Sequence, residues 1–200
     1  MDAILTEANP YTGDARLRVD DPSGAASETH ADGAQVTIHI SGTGGVGQQG
    51  EIRVAERLRL SLANAGHHVT ILDGLNDRGE DRLITVDGIR LVLQVTVTPN
   101  RSDFWREAHI SSASTQVTRQ HALQWLRDPI VYKAQRTPLE DRRQTLLAIA
   151  ALHSGVIASP FFRDEYGQHF GCPSTEFGFA SVWVVGPHDQ FCGRLGNGRP

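Results

Sequence analysis

The chain contains very little lysine and cysteine, and it has no long apolar run. Lys133 is the sole lysine among 19 basic residues, and Cys172 and Cys192 are the only cysteines. Two cysteines are too few for a disulfide-dependent fold at this length, although one bridge or a shared metal stays open. No stretch approaches the roughly 18 consecutive apolar residues of a membrane span, and the first residues do not resemble a secretion signal. We therefore expect a cytoplasmic protein that does not enter a membrane, and any lysine-dependent chemistry must use Lys133.

The acidic excess of the chain is concentrated at its amino terminus. The net charge of the 200 residues is -4, but residues 1–34 alone hold seven acids against two bases, which leaves 16 acids and 17 bases for the rest. Because residues 1–34 show no apolar periodicity, they are predicted to be a mobile acidic leader. Residues 35–192 are predicted to form a single domain, and residues 193–200 a frayed tail. The balanced charge of this domain does not by itself indicate nonspecific nucleic-acid binding.

The spacing of apolar residues predicts the elements of this domain. Strands are predicted over 36–40, 67–72, 83–86, 89–98, 156–158 and 182–185, and helical segments over 51–65, 103–127 and 138–153. The second helical segment is predicted to break near Ser111 and Ser112, and a short further turn is predicted to begin at Pro129. The third follows a capping box at residues 137–140. This order predicts a mixed α/β fold in which helices flank a mixed sheet.

A glycine-rich segment precedes the first predicted helix. Two overlapping G-x-G-x-x-G patterns lie there, one beginning at Gly42 and the other ending at Gly50, and Asp73 ends the next predicted strand. This is the pattern of a dinucleotide site, with pyrophosphate at the helix start and the acid on the ribose. The strand before it alternates polar and apolar residues, however, and only a loop and a hairpin follow, whereas a parallel sheet needs longer crossovers. A glycine hinge is therefore favoured, and dinucleotide binding stays an alternative.

The dipeptide Asp87-Gly88 predicts a two-residue hairpin and thereby a pairing register. Val86 then lies opposite Ile89, and continuing the register places Asp81 opposite Gln94. Alternation directs the side chains of 91, 93, 95 and 97 toward the core, and those of Gln94 and Thr96 to the other face. Directly opposed side chains have Cβ atoms about 5 Å apart. The carboxylate of Asp81 and the amide oxygen of Gln94 could therefore share a Mg²⁺ ion.

The order of elements and these motifs resemble a known family. The predicted elements follow an αβββαβ order. Glu51 lies near the start of the first helix, Gly79-Glu80-Asp81 precedes the second strand of the three, and Gln94-Val95-Thr96 lies in the third. This order is similar to that of the PD-(D/E)XK, or restriction-endonuclease-like, nucleases. The order of elements resembles that of the family over roughly residues 50–186. The motifs resemble those of the family only at the residues just quoted. It implies a restriction-endonuclease-like core and Mg²⁺- or Mn²⁺-dependent hydrolysis of DNA phosphodiester bonds.

The resemblance also assigns roles to particular residues. It makes Asp81 and Gln94 metal ligands, and Glu51 the helix acid that completes the site and helps to hold the metal. Thr96 occupies the position of the family's lysine, which orients the attacking water, and a threonine supplies no positive charge there. Some members of the family carry this lysine on a helix instead, for which Lys133 is the only candidate. The resemblance thus implies a nuclease-like protein whose catalysis is impaired unless Lys133 takes that role.

Less specific interpretations of the same residues stay open. Asp81 could bond within its own loop, and Gln94 with Thr96 could form the solvated face of a half-buried strand. The chain would then be a module of the same fold without chemistry, which binds nucleic acid or protein as a homodimer or within a larger assembly. Separately, the spacing of His169, Cys172, His188 and Cys192 is compatible with a tetrahedral Zn²⁺ site, although no Cys-x2-Cys pair is present.

Overall fold

Two β-sheets and the helices around them make up the computed structural model. The structure describes residues 2–8, 14–20, 26–42, 48–73 and 82–196. The strands are β1 Asp2–Ala8, β2 Ala15–Asp20, β3 Ala26–Asp32, β4 Gln35–Ser41, β5 Val69–Asp73, β6 Arg82–Val86, β7 Ile89–Val97, β8 Ser112–Thr118, β9 Thr145–Ala150, β10 Ser181–Val185 and β11 Cys192–Arg194. The helices are α1 Gln48–Asn64, α2 Ser102–Ile110, α3 Arg119–Arg136, α4 Leu139–Arg142, α5 Pro160–Phe170 and α6 Pro173–Phe177.

The first sheet has the order β1-β2-β3-β4-β8, and all of its pairs are antiparallel. Leu17 and Val19 of β2 alternate with exposed arginines, and Val36 and Ile38 of β4 alternate with polar residues that are less buried. One face of the sheet is therefore buried. Strands β1, β2 and β3 of this sheet lie within residues 1–34, where a mobile leader is predicted. In β2 only Ala15, Leu17 and Val19 alternate with polar residues, and so short an alternation is a weak signal of a strand.

The second sheet has the order β11-β10-β9-β7-β6-β5. Strands β7, β9 and β10 run parallel, whereas β5, β6 and β7 form an antiparallel meander and β11 pairs antiparallel with β10. The sheet is therefore mixed, as predicted. Strand β11 and the fully buried Leu195 extend the ordered chain past the predicted end of the domain at residue 192, and residues 197–200 lie outside the described residues.

Two apolar clusters lie on opposite faces of the second sheet. One cluster joins both sheets through α2 and α3, with Leu17 and Ile38 of the first sheet, Trp125 and Leu126 of α3, and Leu147 of β9. The other cluster lies under α1 and contains Leu58 of that helix. Parallel strands buried on both faces contain nearly continuous apolar runs, which explains the sequence of β9. No helix within the described ranges has the length and apolarity that crossing a bilayer requires.

Four predicted elements differ from the structure. Residues 112–118 form β8 rather than helix, because their alternating Ser and Thr side chains suit a sheet that is wet on one face. Pro129 lies inside α3 and begins no separate turn. The helix predicted over 138–153 is only the single turn α4, because the apolar run after it enters the sheet as β9. Residues 155–158 form a 3₁₀ turn instead of a strand. Short apolar runs do not distinguish strand from helix by periodicity alone.

The hairpin between β6 and β7 has the predicted register. Val86 pairs with Ile89, and the pairing continues to Arg82 opposite Leu93. Both turn residues have a positive φ, 50° at Asp87 and 84° at Gly88, as a two-residue turn of this hand requires. The Asp87 carboxylate accepts a hydrogen bond from the backbone N–H of His68 at 2.8 Å and contacts Nδ1 of His67 at 2.7 Å. The turn is therefore tied to the segment that enters β5.

Substitution of Asp87 is expected to lower stability in a pH-dependent way. The hydrogen bonds from His67 and from the His68 backbone lower the pKa of Asp87. A depressed carboxyl pKa contributes stability that is complete above about 4, the value in an unfolded chain, and is lost as pH falls through the lower folded value. The urea midpoint of wild type should therefore exceed that of Asp87→Asn at neutral pH, and the two should converge in acid. Asp87→Ala, which also disfavours a positive φ, should be less stable than Asp87→Asn throughout.

Candidate functional site

Strand β7 has two different faces. Leu93 is fully buried in the cluster beneath α1, so Gln94, the next residue, points to the opposite face of the sheet. Val92 lies on the same face as Gln94 by the same alternation. On that side α3 covers the neighbouring strand β9, but the part of β7 around Gln94 is only half-buried. A polar residue in the middle of the sheet is thereby left beside an open space.

This space is a cleft of about 670 Å³. Its lining comes from three places: the middle of β7, the last turns of α3, and the segment from α4 to the start of β9. The described residues that line it are Val92, Gln94, Tyr132, Lys133, Arg136, Thr137, Pro138, Asp141, Gln144 and Thr145. Most of these side chains are polar, so the cleft suits a polar or charged ligand rather than an apolar one.

The carboxyl-terminal end of α3 provides the positive charge of the cleft. Lys133 and Arg136 lie in the last turn of the helix, three residues apart and thus on one side of it. Cations are favoured at this end because the helix dipole is negative there. Thr137 ends the helix, with its N–H donating to the carbonyl of Lys133, and its hydroxyl lies 3.5 Å from Oε1 of Gln94. The helix end and β7 are therefore linked across the cleft.

The chain after α3 closes the other side of the cleft. The hydroxyl of Thr145 donates to the carbonyl of Asp141 at 2.9 Å, and the N–H of Val92 donates to the carbonyl of Gln144 at 2.8 Å. These bonds hold the α4–β9 connection against β7. Asp141 and Gln144 are themselves exposed, so their side chains are accessible to a ligand. Asp141 is the single acidic residue among the described residues of the lining.

The structure brings together two of the five predicted site residues. Gln94 and Lys133 line the same cleft, although 39 positions separate them in the sequence. Thr96 is half-buried on the same face of β7, beyond the described lining. Glu51 lies in the first turn of α1, the helix that packs on the opposite face of the sheet. Asp81 lies outside the described residues, so its predicted pairing with Gln94 stays a prediction.

Tyr132 and Asp141 line the cleft without having a role predicted from the sequence. Tyr132 lies beyond the predicted end of α3, and Asp141 lies where a long helix is predicted. One signal was present in the sequence: Lys133 and Arg136 are basic residues at helical spacing directly before the helix-ending pair Thr137-Pro138. Had α3 been extended through Pro129, this end would have been recognised as a cationic helix terminus.

The donor atoms of the cleft are compatible with Mg²⁺. The carboxylate of Asp141 and the amide oxygens of Gln94 and Gln144 are hard donors, and Mg²⁺ usually takes only one or two protein carboxylates and keeps several waters. Gln94 and Asp141 are the described residues that would hold such an ion. Within the described ranges, however, no three His, Cys, Asp or Glu side chains are grouped as a metal site.

The two cysteines lie in different environments. Cys192 is buried, its thiol donates to the carbonyl of Gly186 at 3.7 Å, and burial raises its pKa to about 11. Burial would also raise the pKa of Cys172, but hydrogen bonds from Thr175 and Ser174 outweigh it and lower that pKa. Both cysteines are free thiols. His169 and His188 are exposed, and the described chain does not group these four residues into a metal site.

The glycine-rich segment does not have the setting of a dinucleotide site. Strand β4 before it lies in the first sheet between antiparallel neighbours, whereas β5 after α1 lies at the edge of the second sheet. A dinucleotide fingerprint requires its two strands to be parallel in one sheet. Gly42 has a positive φ of 74° and Gly50 lies within α1, while residues 43–47 fall outside the described residues.

No family model, curated protein or solved structure matches this chain. The order of its elements and the composition of its cleft are therefore the basis for assigning a function.

Proposed function

We propose that this chain is a nucleic-acid-binding protein with a restriction-endonuclease-like core, and that its cleft binds the phosphate backbone, with DNA as the first candidate. The observation that carries the proposal is the placement of Lys133 and Arg136 beside Gln94 in one open, polar cleft. Lys and Arg neutralise backbone phosphates, and amide groups such as that of Gln94 add hydrogen bonds to phosphate or base.

The order of elements supports the assignment of the core. The expected αβββαβ order is present along the chain, in the elements α1, β5, β6, β7, α3 and β9. Helix α2 and strand β8 are inserted between β7 and α3, and β8 joins the first sheet. The cleft borders the strand that carries Gln94, which is the strand where the resemblance expects the functional residues.

The charge of the cleft supports phosphate as the ligand. Two cations face one carboxylate among the described lining residues, although the chain as a whole is acidic. A local concentration of positive charge in a protein of negative net charge favours contact at that one place, because the rest of the surface repels a polyanion. The proposal therefore predicts binding through a few contacts with a modest dependence on salt.

Binding of fluorescein-labelled oligonucleotides to the wild-type protein, followed by anisotropy, tests the proposal. The logarithm of affinity should fall linearly with the logarithm of salt concentration, with a slope of about -2 to -4 for a few phosphate contacts. A protein that binds no oligonucleotide even at about 50 mM salt, where electrostatic binding is strongest, would contradict the proposal.

Hydrolysis of the bound strand is the second candidate function. It is favoured by one observation, which is that Lys133 shares the cleft with Gln94, as the family resemblance would require of a lysine carried on a helix. Mg²⁺ or Mn²⁺, when bound, would polarise a phosphate oxygen and acidify a water. Lys133 would hold positive charge beside the reacting phosphate, and Gln94 and Asp141 would orient the ligands.

Cleavage of plasmid and linear DNA in the presence of Mg²⁺ or Mn²⁺ tests this second function. We expect activity that requires the divalent ion, that is abolished by Asp81→Ala, and that falls by about 100-fold in Lys133→Met, because a preorganised charge at the reacting group is worth that much. Binding without cleavage under all of these conditions would exclude hydrolysis and leave the binding function intact. Glu56→Gln, an exposed carboxylate of α1 on the opposite face of the sheet, is the matched comparison: equal loss there would contradict the cleft as the active centre.

A further inference from the structure

A single aromatic side chain lies exposed at the cationic end of the cleft. Among the exposed large hydrophobic residues of the described chain, Tyr132 is the one aromatic, and 40% of it is accessible. The buried residues Leu126 and Ile130, which hold α3 in the core, lie on a different side of the helix from Tyr132. Tyr132 is therefore not needed as a core residue, and its ring lines the cleft instead.

The ring is held in place by a neighbouring charge. The guanidinium of Arg136 lies 4.4 Å from the centroid of the Tyr132 ring, and the two residues are one helical turn apart. A tyrosine has few rotatable bonds, so an aromatic ring fixed in this way can stack on a ligand at a small entropic cost. Because the guanidinium lies over one face of the ring, a base can stack on the opposite face of the ring or on the outer side of the guanidinium, since guanidinium groups stack on bases as aromatic rings do.

The combination of a stacking ring and adjacent cations indicates which form of nucleic acid the cleft binds. In a duplex the faces of the bases are covered by their neighbours, so a side-chain ring cannot reach them without displacing a base. In a single strand the bases are free to stack on aromatic side chains while cations follow the backbone. Tyr132 and Arg136 offer the stacking surface, and Lys133 lies next to them for the phosphate.

We infer that the cleft binds single-stranded nucleic acid, with one base stacked on Tyr132 beside Arg136 and the adjoining phosphate at Lys133. This inference rests on the proposed function and narrows its ligand to unpaired strands or unpaired ends. Stacking accepts any base, so the cleft should show little sequence preference. The shared chemistry is the same for DNA and RNA, and the two are distinguished by measurement.

Anisotropy with labelled oligo-dT, labelled oligo-rU and a DNA duplex of the same length, each about 20 nucleotides long, tests the inference. Single strands should bind more tightly than the duplex. Tyr132→Ala should weaken single-strand binding by about tenfold, the effect of losing one stacked base, and leave duplex binding unchanged. Tyr132→Phe, which keeps the ring, should bind as wild type. Leu139→Ala, another exposed apolar residue near the cleft, is the control and should change neither affinity.

The outcomes separate this inference from the proposed function. If the wild type binds neither single strands nor duplex, the proposed function fails, and the inference fails with it. If the wild type binds but Tyr132→Ala has no effect, or if duplex is preferred, only the stacking inference is overturned. If Tyr132→Ala weakens both forms equally, the ring merely positions Arg136, and the inference is overturned as well. The thermal midpoint of Tyr132→Ala should match wild type, because the side chain is largely outside the core.

Discussion

Replacing Lys133 and Arg136 together by alanine is expected to weaken nucleic-acid binding by about tenfold or more at moderate salt. These two side chains are the cations among the described residues of the cleft, so their loss removes two phosphate contacts to a duplex, and one phosphate contact and one stacked guanidinium to a single strand. The slope of log affinity against log salt should become shallower by nearly 2 for duplex and somewhat less for single strands. Each single substitution should produce roughly half of this change in slope. Anisotropy titrations at several salt concentrations measure both effects.

A variant with the same loss of charge elsewhere controls for the net charge of the protein. Arg106 on α2 and Arg194 on β11 are exposed and lie outside the described lining of the cleft. The double variant Arg106→Ala, Arg194→Ala should therefore keep both the affinity and the salt slope close to wild type. Equal weakening in both double variants would show that net charge, and not the cleft, governs binding.

Gly155→Ala is expected to destabilise the fold by about 1–3 kcal/mol, the usual cost of overpacking a core. A Cβ built at Gly155 would lie 2.3 Å from Cδ2 of Leu17 and 2.9 Å from Cδ of Pro187. Leu17 is buried in the shared core and the proline ring is rigid, so neither can easily move aside. For a protein of this size, the thermal midpoint should fall by roughly 2–4 °C for each kcal/mol.

Gly167 offers a matched comparison within the same chain. It lies inside α5, and a Cβ there would approach its nearest neighbour, Cα of Gly196, at an ordinary 3.5 Å. Gly167→Ala should therefore be neutral or stabilising by up to about 1 kcal/mol, since alanine favours helix. The cost of Gly155→Ala should also shrink in a Leu17→Ala background, where the obstructing methyl group is gone. Equal costs in the two backgrounds would contradict the proposed close approach.

The hairpin of the second sheet could be predicted from the sequence because its determinants are local. Asp87 and Gly88 favour the positive φ angles of the turn, and the period of two then fixes which residues oppose one another. The same local reasoning placed Gln94 on the face opposite Leu93. The mixed α/β class followed from the order of these elements, since it needs no knowledge of contacts distant in sequence.

The first sheet and the cleft could not be predicted in the same way because they depend on distant pairings. Strand β8 has few apolar residues, and it is a strand because β4 offers it a partner some 75 positions earlier. The last turns of α3 are not predicted from the sequence because a proline usually ends a helix. Pro129, however, is buried within α3, and the helix continues past it. The sequence singles out Lys133 only because the chain contains no other lysine, and the position of Lys133 beside Gln94 arises from tertiary packing.

The insertion of β8 between α2 and α3 makes the two halves of the molecule depend on each other. Deleting residues 1–41 to isolate the second sheet and its helices would remove β4 and leave β8, a seven-residue strand, with an unpaired edge, which is a template for association between chains. It would also uncover the apolar surface of α3 that the first sheet now shields. A shortened protein should therefore be prone to aggregate, and experiments on this cleft are best performed on the entire chain.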